Sequence, residues 1–300
     1  GSITLAQIGR GENMDWEKFK NSVCWGIRFL DNVIEVNKFP LPEIEKITRA
    51  NRKIGLGVMG FADLLIQLGI SYNSMRAVRC AQDIMQFIRR ESLSASIRLA
   101  KERGVFPNFK KSIFAKKNLR PRNATLNTIA PTGTISIIAG CSSGIEPLFA
   151  ISFIRNILSG TRLAQVNPFF EKAARERELD KRDVIAHIAR VGSLQKIKQI
   201  PKDMKKVFVT AFDIAPAGHL AIQAAFQKYT DNSVSKTINL PSSAFVQEVK
   251  KIFALAYQLR CKGITIYRYG TKDLQVLSFG HPLSVDSEYS GGRICGTCPF

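Results

Sequence analysis

The sequence predicts an α/β fold with a largely parallel sheet. Runs of β character near residues 1–7, 53–59, 124–130, 234–240 and 264–267 are separated by helical stretches, the alternation that builds parallel sheets. The chain is also large enough: 300 residues with 45% apolar content bury a full core, in one large domain or two small ones. No internal repeat divides it into stacked units. Five such strands also suit an ordinary doubly wound domain, and these observations alone leave both arrangements open.

Each element has a local reason. The run at 1–7 alternates weakly. Asp15 then caps a helix whose Phe19, Val23, Ile27, Leu30 and Ile34 share one face, and Phe39-Pro40-Leu41-Pro42 ends it. A helix over 42–50 leads into NRKIGLGVMG, whose glycines suit a short buried strand with another backbone close by. They match a dinucleotide fingerprint only loosely, and no acidic residue stands where a ribose would need it. Phe61, Leu64, Leu65 and Leu68 form a short helix stopped by Gly69. Residues 74–103 read as one long amphipathic helix and 105–122 as a basic loop. Later come a charged helix from Val166-Asn167-Pro168 to about 179, a second near 181–191, a β run at 207–212 and a helix at 219–229. Ser242 or Ser243 caps a helix with Val246, Val249, Phe253, Ala256 and Leu259 on its apolar face, stopped by Gly263. From about 270 the chain turns polar and rich in Gly and Ser, as tails do. The expected division is therefore a folded 1–270 and a flexible tail, 271–300. Both ends read as cuts through a longer polypeptide.

The net charge of +20 concentrates in two places. Residues 101–122 hold eight Lys or Arg against one Glu, and 196–206 hold five Lys against one Asp. Such runs form solvated faces or meet polyanions. No aromatic interleaving or helix-turn-helix pattern supports base readout, so nucleic acid is not the expected partner. No signal peptide and no membrane-length apolar run is evident, and six cysteines, mostly in apolar settings, fit a reducing compartment. The expected location is the cytoplasm, with no membrane partner.

The most informative stretch is 123–150, NATLNTIAPTGTISIIAGCSSGIEPLFA. A β run turns through Ala130, Pro131, Thr132, Gly133 and Thr134 into the first turn of a helix. Backbone N–H groups there have no internal partners and favour an anion. Gly133 lets the backbone approach one, and the hydroxyls of Thr132, Thr134 and Ser136 are further donors. The turn equally reads as Ser/Thr capping with no ligand, since its spacing is neither a Walker loop nor GxGxxG.

APTGTIS followed by AGCSSGIEPLFA resembles the substrate-phosphate loop of ribonucleotide reductase large subunits, particularly the adenosylcobalamin-dependent class. GSITLA, NRKIGLGVMGFADLLIQLGI, FVTAFDIAP, AAFQKYTDNSVSKTINLP and CKGITIYR match in the same order, so the resemblance covers roughly 1–280. It implies a ten-stranded α/β barrel of two five-stranded halves, with this chain as the second half. It also implies that Pro131, Thr132, Gly133, Thr134, Ile135 and Ser136 hold nucleotide phosphates. The family's radical cysteine, with its flanking Asn and Glu, stands upstream of the strand that reads GSITLA. The resemblance therefore implies that this segment carries no catalytic cysteine and is inactive alone. Its partners would be a ribonucleotide, the N-terminal half of the reductase and a protein reductant of thioredoxin type, with a homodimer open.

Cys24, Cys80 and Cys141 sit in helical or apolar contexts and read as structural, and Cys261 matches a family cysteine with no catalytic role evident. Cys295 and Cys298 form Cys-Gly-Thr-Cys in the tail, which reads as a redox pair, half a zinc site or idle thiols. No two histidines pair with carboxylates at metal spacing, so no metal site is expected. Manganese- or iron-dependent relatives relay a radical through two adjacent tyrosines on the last strand. Here Tyr267 and Tyr269 alternate, which by resemblance points to adenosylcobalamin. Asp231, Asn232 and Lys236 suggest structural roles only. The competing function is a non-catalytic module that binds a nucleotide or polyanion.

Overall fold

The computed structural model describes residues 1–10, 13–156, 162–179, 184, 187, 188, 191–271, 277 and 278. The five expected β regions are all present as parallel neighbours in chain order. β1 (Ser2–Thr4) pairs in parallel with β4 (Gly57–Met59), Ser2 opposite Gly57 and Thr4 opposite Met59. Between them the chain makes a tight antiparallel pair, β2 (Gly9–Arg10) with β3 (Asn13–Met14). Next in space comes the 124–130 region, joined by parallel bridges from Leu56 to Asn127 and from Ile129 to Val234. β7 (Thr237–Leu240) then pairs in parallel with β8 (Thr265–Arg268).

The third strand is a series of bridges rather than a full ladder. The Leu56 N–H donates to the Leu126 carbonyl at 2.8 Å, Thr128 N–H to Leu56 at 3.2 Å, and Ser235 N–H to Ile129 at 2.9 Å. Close approach explains the glycine here: a Cβ on Gly57 would lie 2.0 Å from the Thr128 carbonyl oxygen.

The helices lie where the apolar period places them. α1 (Trp16–Val36) is capped by Asp15, whose carboxylate accepts the Lys18 N–H at 2.9 Å. It buries Phe19, Val23, Ile27 and Ile34 against α4 (Met75–Arg103), which presents Ala81, Ile84 and Ile88. Each fully buried large apolar side chain of this interface contributes about 1.5–3 kcal/mol. α2 (Pro42–Asn51) has Pro42 at its start and ends at Arg52 in the left-handed region, φ 49°. α3 (Phe61–Gln67) follows β4 and is stopped near Gly69, as the sequence predicts. Among the described residues no helix is long and apolar enough to cross a membrane.

Several expectations change. The basic 105–122 stretch holds a 3₁₀ turn (Pro107–Lys111) and a short helix, α5 (Ile113–Lys116). After α6 (Gly133–Ile138), an antiparallel pair absent from the sequence reading appears, β5 (Ser152–Asn156) with β6 (Arg162–Val166). β9 (Leu277–Ser278), within the stretch read as a tail, pairs with β5. The charged helix α7 (Pro168–Arg175) begins at Pro168, capped by Asn167. The helix expected near 181–191 lies largely outside the described residues.

The β run expected at 207–212 is instead the end of α8 (Lys202–Val207) followed by a 3₁₀ turn (Ala211–Asp213). Only Thr210 bridges, to Leu148. Asp213 takes both the N–H and the hydroxyl of Thr210, at 2.9 and 2.7 Å, and this local turn overrides the β pattern. α9 (Pro216–Gln227) starts three residues earlier than the expected 219 because Pro216 is well suited to a first helical position. α10 (Val246–Gln258) is not capped by Ser242 or Ser243. Phe245 is its N-cap residue, and the Glu248 carboxylate accepts the Phe245 N–H at 2.8 Å. Of the apolar face expected for it, Ala256 is buried while Val246 and Phe253 are exposed.

Candidate functional site

The 131–136 turn leaves the end of the third parallel strand and starts α6. Thr132 adopts the left-handed conformation, φ 56° and ψ 26°, unusual for a branched residue. Its hydroxyl does not cap the helix; it accepts the Gly144 N–H at 2.6 Å. Ser136 shares a 2.9 Å hydrogen bond with the Ser143 hydroxyl and also donates to the Gly133 carbonyl at 3.2 Å. Both residues are buried, at 7% and 1% exposure. Thr132 and Ser136 thus hold the turn in shape. Pro131, Gly133, Thr134 and Ile135 face solvent.

A Cβ built on Gly133 meets no atom within 4 Å, so the space in front of the turn is open. The first-turn N–H groups have no partners within the helix. Because α6 has only six residues, its dipole is small and local N–H donors carry most of any attraction for an anion.

The turn leans on the segment 141–146. Gly144 has φ 49°, and a Cβ there would lie 3.2 Å from the Ala130 carbonyl oxygen. At one end of the segment, Asp63 on α3 accepts the Ser142 N–H at 2.6 Å, and Gly60 N–H donates to the Ser142 carbonyl at 2.7 Å. Burial raises the Asp63 carboxyl above its ordinary range, with the Ser142 bonds opposing that rise. Further along, Tyr72 donates to the Ile145 carbonyl at 2.6 Å. At the far end, Glu146 meets Lys236 at 2.5 Å and accepts the Thr237 N–H at 2.6 Å.

The sequence reading missed Glu146 and His219, and read Lys236 as merely structural. One signal was available: Lys236 occupies the inward register of an apolar strand with Val234, Ile238 and Leu240, where a lone ammonium is intolerable.

Three of the described thiols are held away from the reactive thiolate form. Burial raises Cys141, with Asp63 adding to it; burial likewise raises Cys261 and pushes Cys80 up to about 12. Cys295 and Cys298 lie outside the described residues. Among the described residues no group of three or more His, Cys, Asp or Glu side chains could hold a metal ion.

Parallel strands in chain order, helices between them and a buttressed turn at one strand end define a protein of the α/β class. The family described as "Ribonucleotide reductase, barrel domain" matches residues 1–121 and 117–267. The chain belongs to that family. A vitamin B12-dependent ribonucleoside-diphosphate reductase of Thermoplasma acidophilum is 48% identical over 281 residues, 93% of this chain and 36% of the relative. One from Mycobacterium tuberculosis is 46% identical over 304 residues, 100% of this chain and 43% of the relative. The class Id ribonucleotide reductase alpha subunit of Actinobacillus ureae superposes with a TM-score of 0.73 at 26% identity, over 90% of this chain and 49% of that one. The chain thus spans less than half the length of each of these proteins.

Proposed function

We propose that this chain is the substrate-anchoring part of a cobalamin-dependent ribonucleotide reductase, supplying five strands of a ten-stranded barrel. Residues 131–136 hold the phosphates of a ribonucleoside diphosphate or triphosphate; two of the named relatives act on diphosphates. The observation that carries this is the turn itself, whose backbone faces open space while its buried hydroxyls lock its shape. Holding the phosphates at a fixed point places the ribose, so remote binding energy becomes positioning.

The radical cysteine and the reducing thiols belong to the remainder of the reductase, which acts with this chain. Residues 271–300 form a tail in which Cys295 and Cys298 pass electrons from a thioredoxin-type protein, or a ribbon around zinc. A cytoplasmic homodimer suits this reading. Adenosylcobalamin, when bound in the complete enzyme, supplies the radical. Buried His219 has Nδ1 on Lys236 and Nε2 on the Ala211 carbonyl, so it is not free to ligate the cobalt. No step is assigned to this chain through the cofactor; its own residues bind and orient the nucleotide.

The test joins the chain to the remainder of such a reductase. Gly133→Val adds a side chain to space that the fold leaves open, so stability is retained while nucleotide affinity falls about tenfold or more. Equal affinity of the two proteins for a ribonucleoside diphosphate by calorimetry removes the anchoring role. The isolated chain is expected to form no deoxyribonucleotide, and measurable product from it would misplace the active site.

A further inference from the structure

Lys236 is almost fully buried, yet every N–H of its ammonium has an acceptor. Its Nζ lies 2.5 Å from Glu146 Oε2, 2.5 Å from the Thr237 carbonyl oxygen and 2.9 Å from His219 Nδ1. For Nδ1 to accept, the imidazole proton must sit on Nε2, which faces the Ala211 carbonyl oxygen at 3.0 Å and donates to it. His219 is therefore neutral. Burial, and then the charge of Lys236, lower its pKa to about 3. Burial pulls the Lys236 ammonium down while Glu146 pushes it up. The second oxygen of Glu146 accepts the Thr237 N–H at 2.6 Å. The network is fully satisfied, which such buried charge requires.

Its place in the fold gives it a task. Glu146 lies two residues beyond Gly144 and three beyond Ser143, the residues that grip Thr132 and Ser136. It pins that grip to β7, while His219 ties the same point to α9. Ser142, at the other end, is pinned to α3 by Asp63 and Gly60. The segment 142–146 is thus a short bar fixed at both ends, and the turn hangs from its middle.

We infer that Lys236, Glu146 and His219 form a positioning device for the 131–136 turn, setting where its exposed N–H groups stand. Its consequence for substrate rests on reading that turn as the nucleotide anchor; the positional claim itself does not. None of the three contacts the exposed residues of the turn, so they are positioning residues acting through Ser143 and Gly144.

The test uses the chain joined to the remainder of the reductase. Glu146→Gln keeps size and one acceptor while removing the charge. Lys236→Met removes all three donors and is the variant more prone to misfold, so Glu146→Gln is the primary one. Without nucleotide, exchange of the Ser136 and Gly144 amides, which are hydrogen-bonded to the Thr132 carbonyl and hydroxyl, should accelerate on the order of tenfold while α4 stays unchanged. With a ribonucleoside diphosphate, KM should rise roughly tenfold while kcat and adenosylcobalamin affinity change little. Unchanged exchange of the Ser136 and Gly144 amides in the folded variant overturns the inference. So does equal acceleration in the turn and in α4, which would mark a merely structural network. If the turn loosens in Glu146→Gln while Gly133→Val binds nucleotide normally, the positioning device stands and the anchor reading falls.

Discussion

Asp31 and Asp63 are both buried aspartates on helices, yet the protein solves the problem of their charge in opposite ways. Asp31, on α1, is fully buried and surrounded by cations. Arg52 reaches Oδ1 at 2.8 and 3.0 Å, Asn123 joins at 3.0 Å, and Arg103 meets Oδ2 at 3.2 Å. Burial alone would raise this carboxyl, but the hydrogen bonds and charge of Arg52 outweigh it and leave it below the ordinary range. Asp63 has no such cation among its named partners; it is met by the N–H and hydroxyl of Ser142 and by Asn167, and its carboxyl is raised. The lesson concerns supply. Where guanidinium groups crowd a carboxylate, it stays ionised and ties helices together. Where neutral donors hold it, it shapes one local segment.

The comparison also accounts for part of the basic excess. Arg103 and Arg122, from the stretch expected to be a solvated face, turn inward to Asp31, and the Arg122 side chain is only 12% exposed. That cluster binds α1, the end of α2, the end of α4 and the approach to the third strand.

The largest effect should come from removing Asp31. Asp31→Ala leaves Arg52 buried without its main partner and is expected to cost about 3–5 kcal/mol, read as a lowered urea midpoint. The nucleotide affinity of the protein that remains folded should be unaffected. A loss below about 1 kcal/mol would show the cluster to be as weak as surface pairs.

A smaller effect separates the two aspartates by sign. The folded pKa of Asp31 is depressed, so its stabilisation is present above its unfolded value and lost as pH falls through the folded one. The folded pKa of Asp63 is raised, so its contribution is present below the unfolded value and lost as pH rises through the folded one. Denaturation from pH 7 down to pH 3 should therefore show Asp31→Asn converging on wild type. Asp63→Asn should move the other way, comparing best with wild type at pH 7. Parallel behaviour of the two variants would break the contrast.

The smallest effect is a control on the same helix. Asp15 is a partly exposed cap with one backbone hydrogen bond, and Asp15→Ala should cost about 1 kcal/mol with no dependence on the Arg52 cluster. Coupling between Asp15→Ala and Asp31→Ala in a double-mutant cycle, beyond about 0.5 kcal/mol, would contradict that independence.

Much of the architecture was legible because it is local. Phe19, Val23, Ile27 and Ile34 repeat at the helical period, and all four are buried where that period points. The site was legible in outline, since small residues and hydroxyls mark the 131–136 turn. The roles within it were not. Thr132 and Ser136 look identical to Thr134 as donors in the sequence, and only their partners on 143 and 144 show that they face inward. The 207–212 run failed for the converse reason, because an Asp three residues after a Thr outweighed β propensity.

The sequence by itself determined the long helices, the five parallel β regions and where the turn falls, because spacing along the chain is enough to set a buried face. Only the tertiary structure decided which charges meet. Lys236 and Glu146 are 90 residues apart, and Asn123 and Asp31 are 92 apart. No pattern along the chain encodes such a pair. It exists because packing carries Lys236 and Asp31 out of water at points where a distant partner is there to meet them.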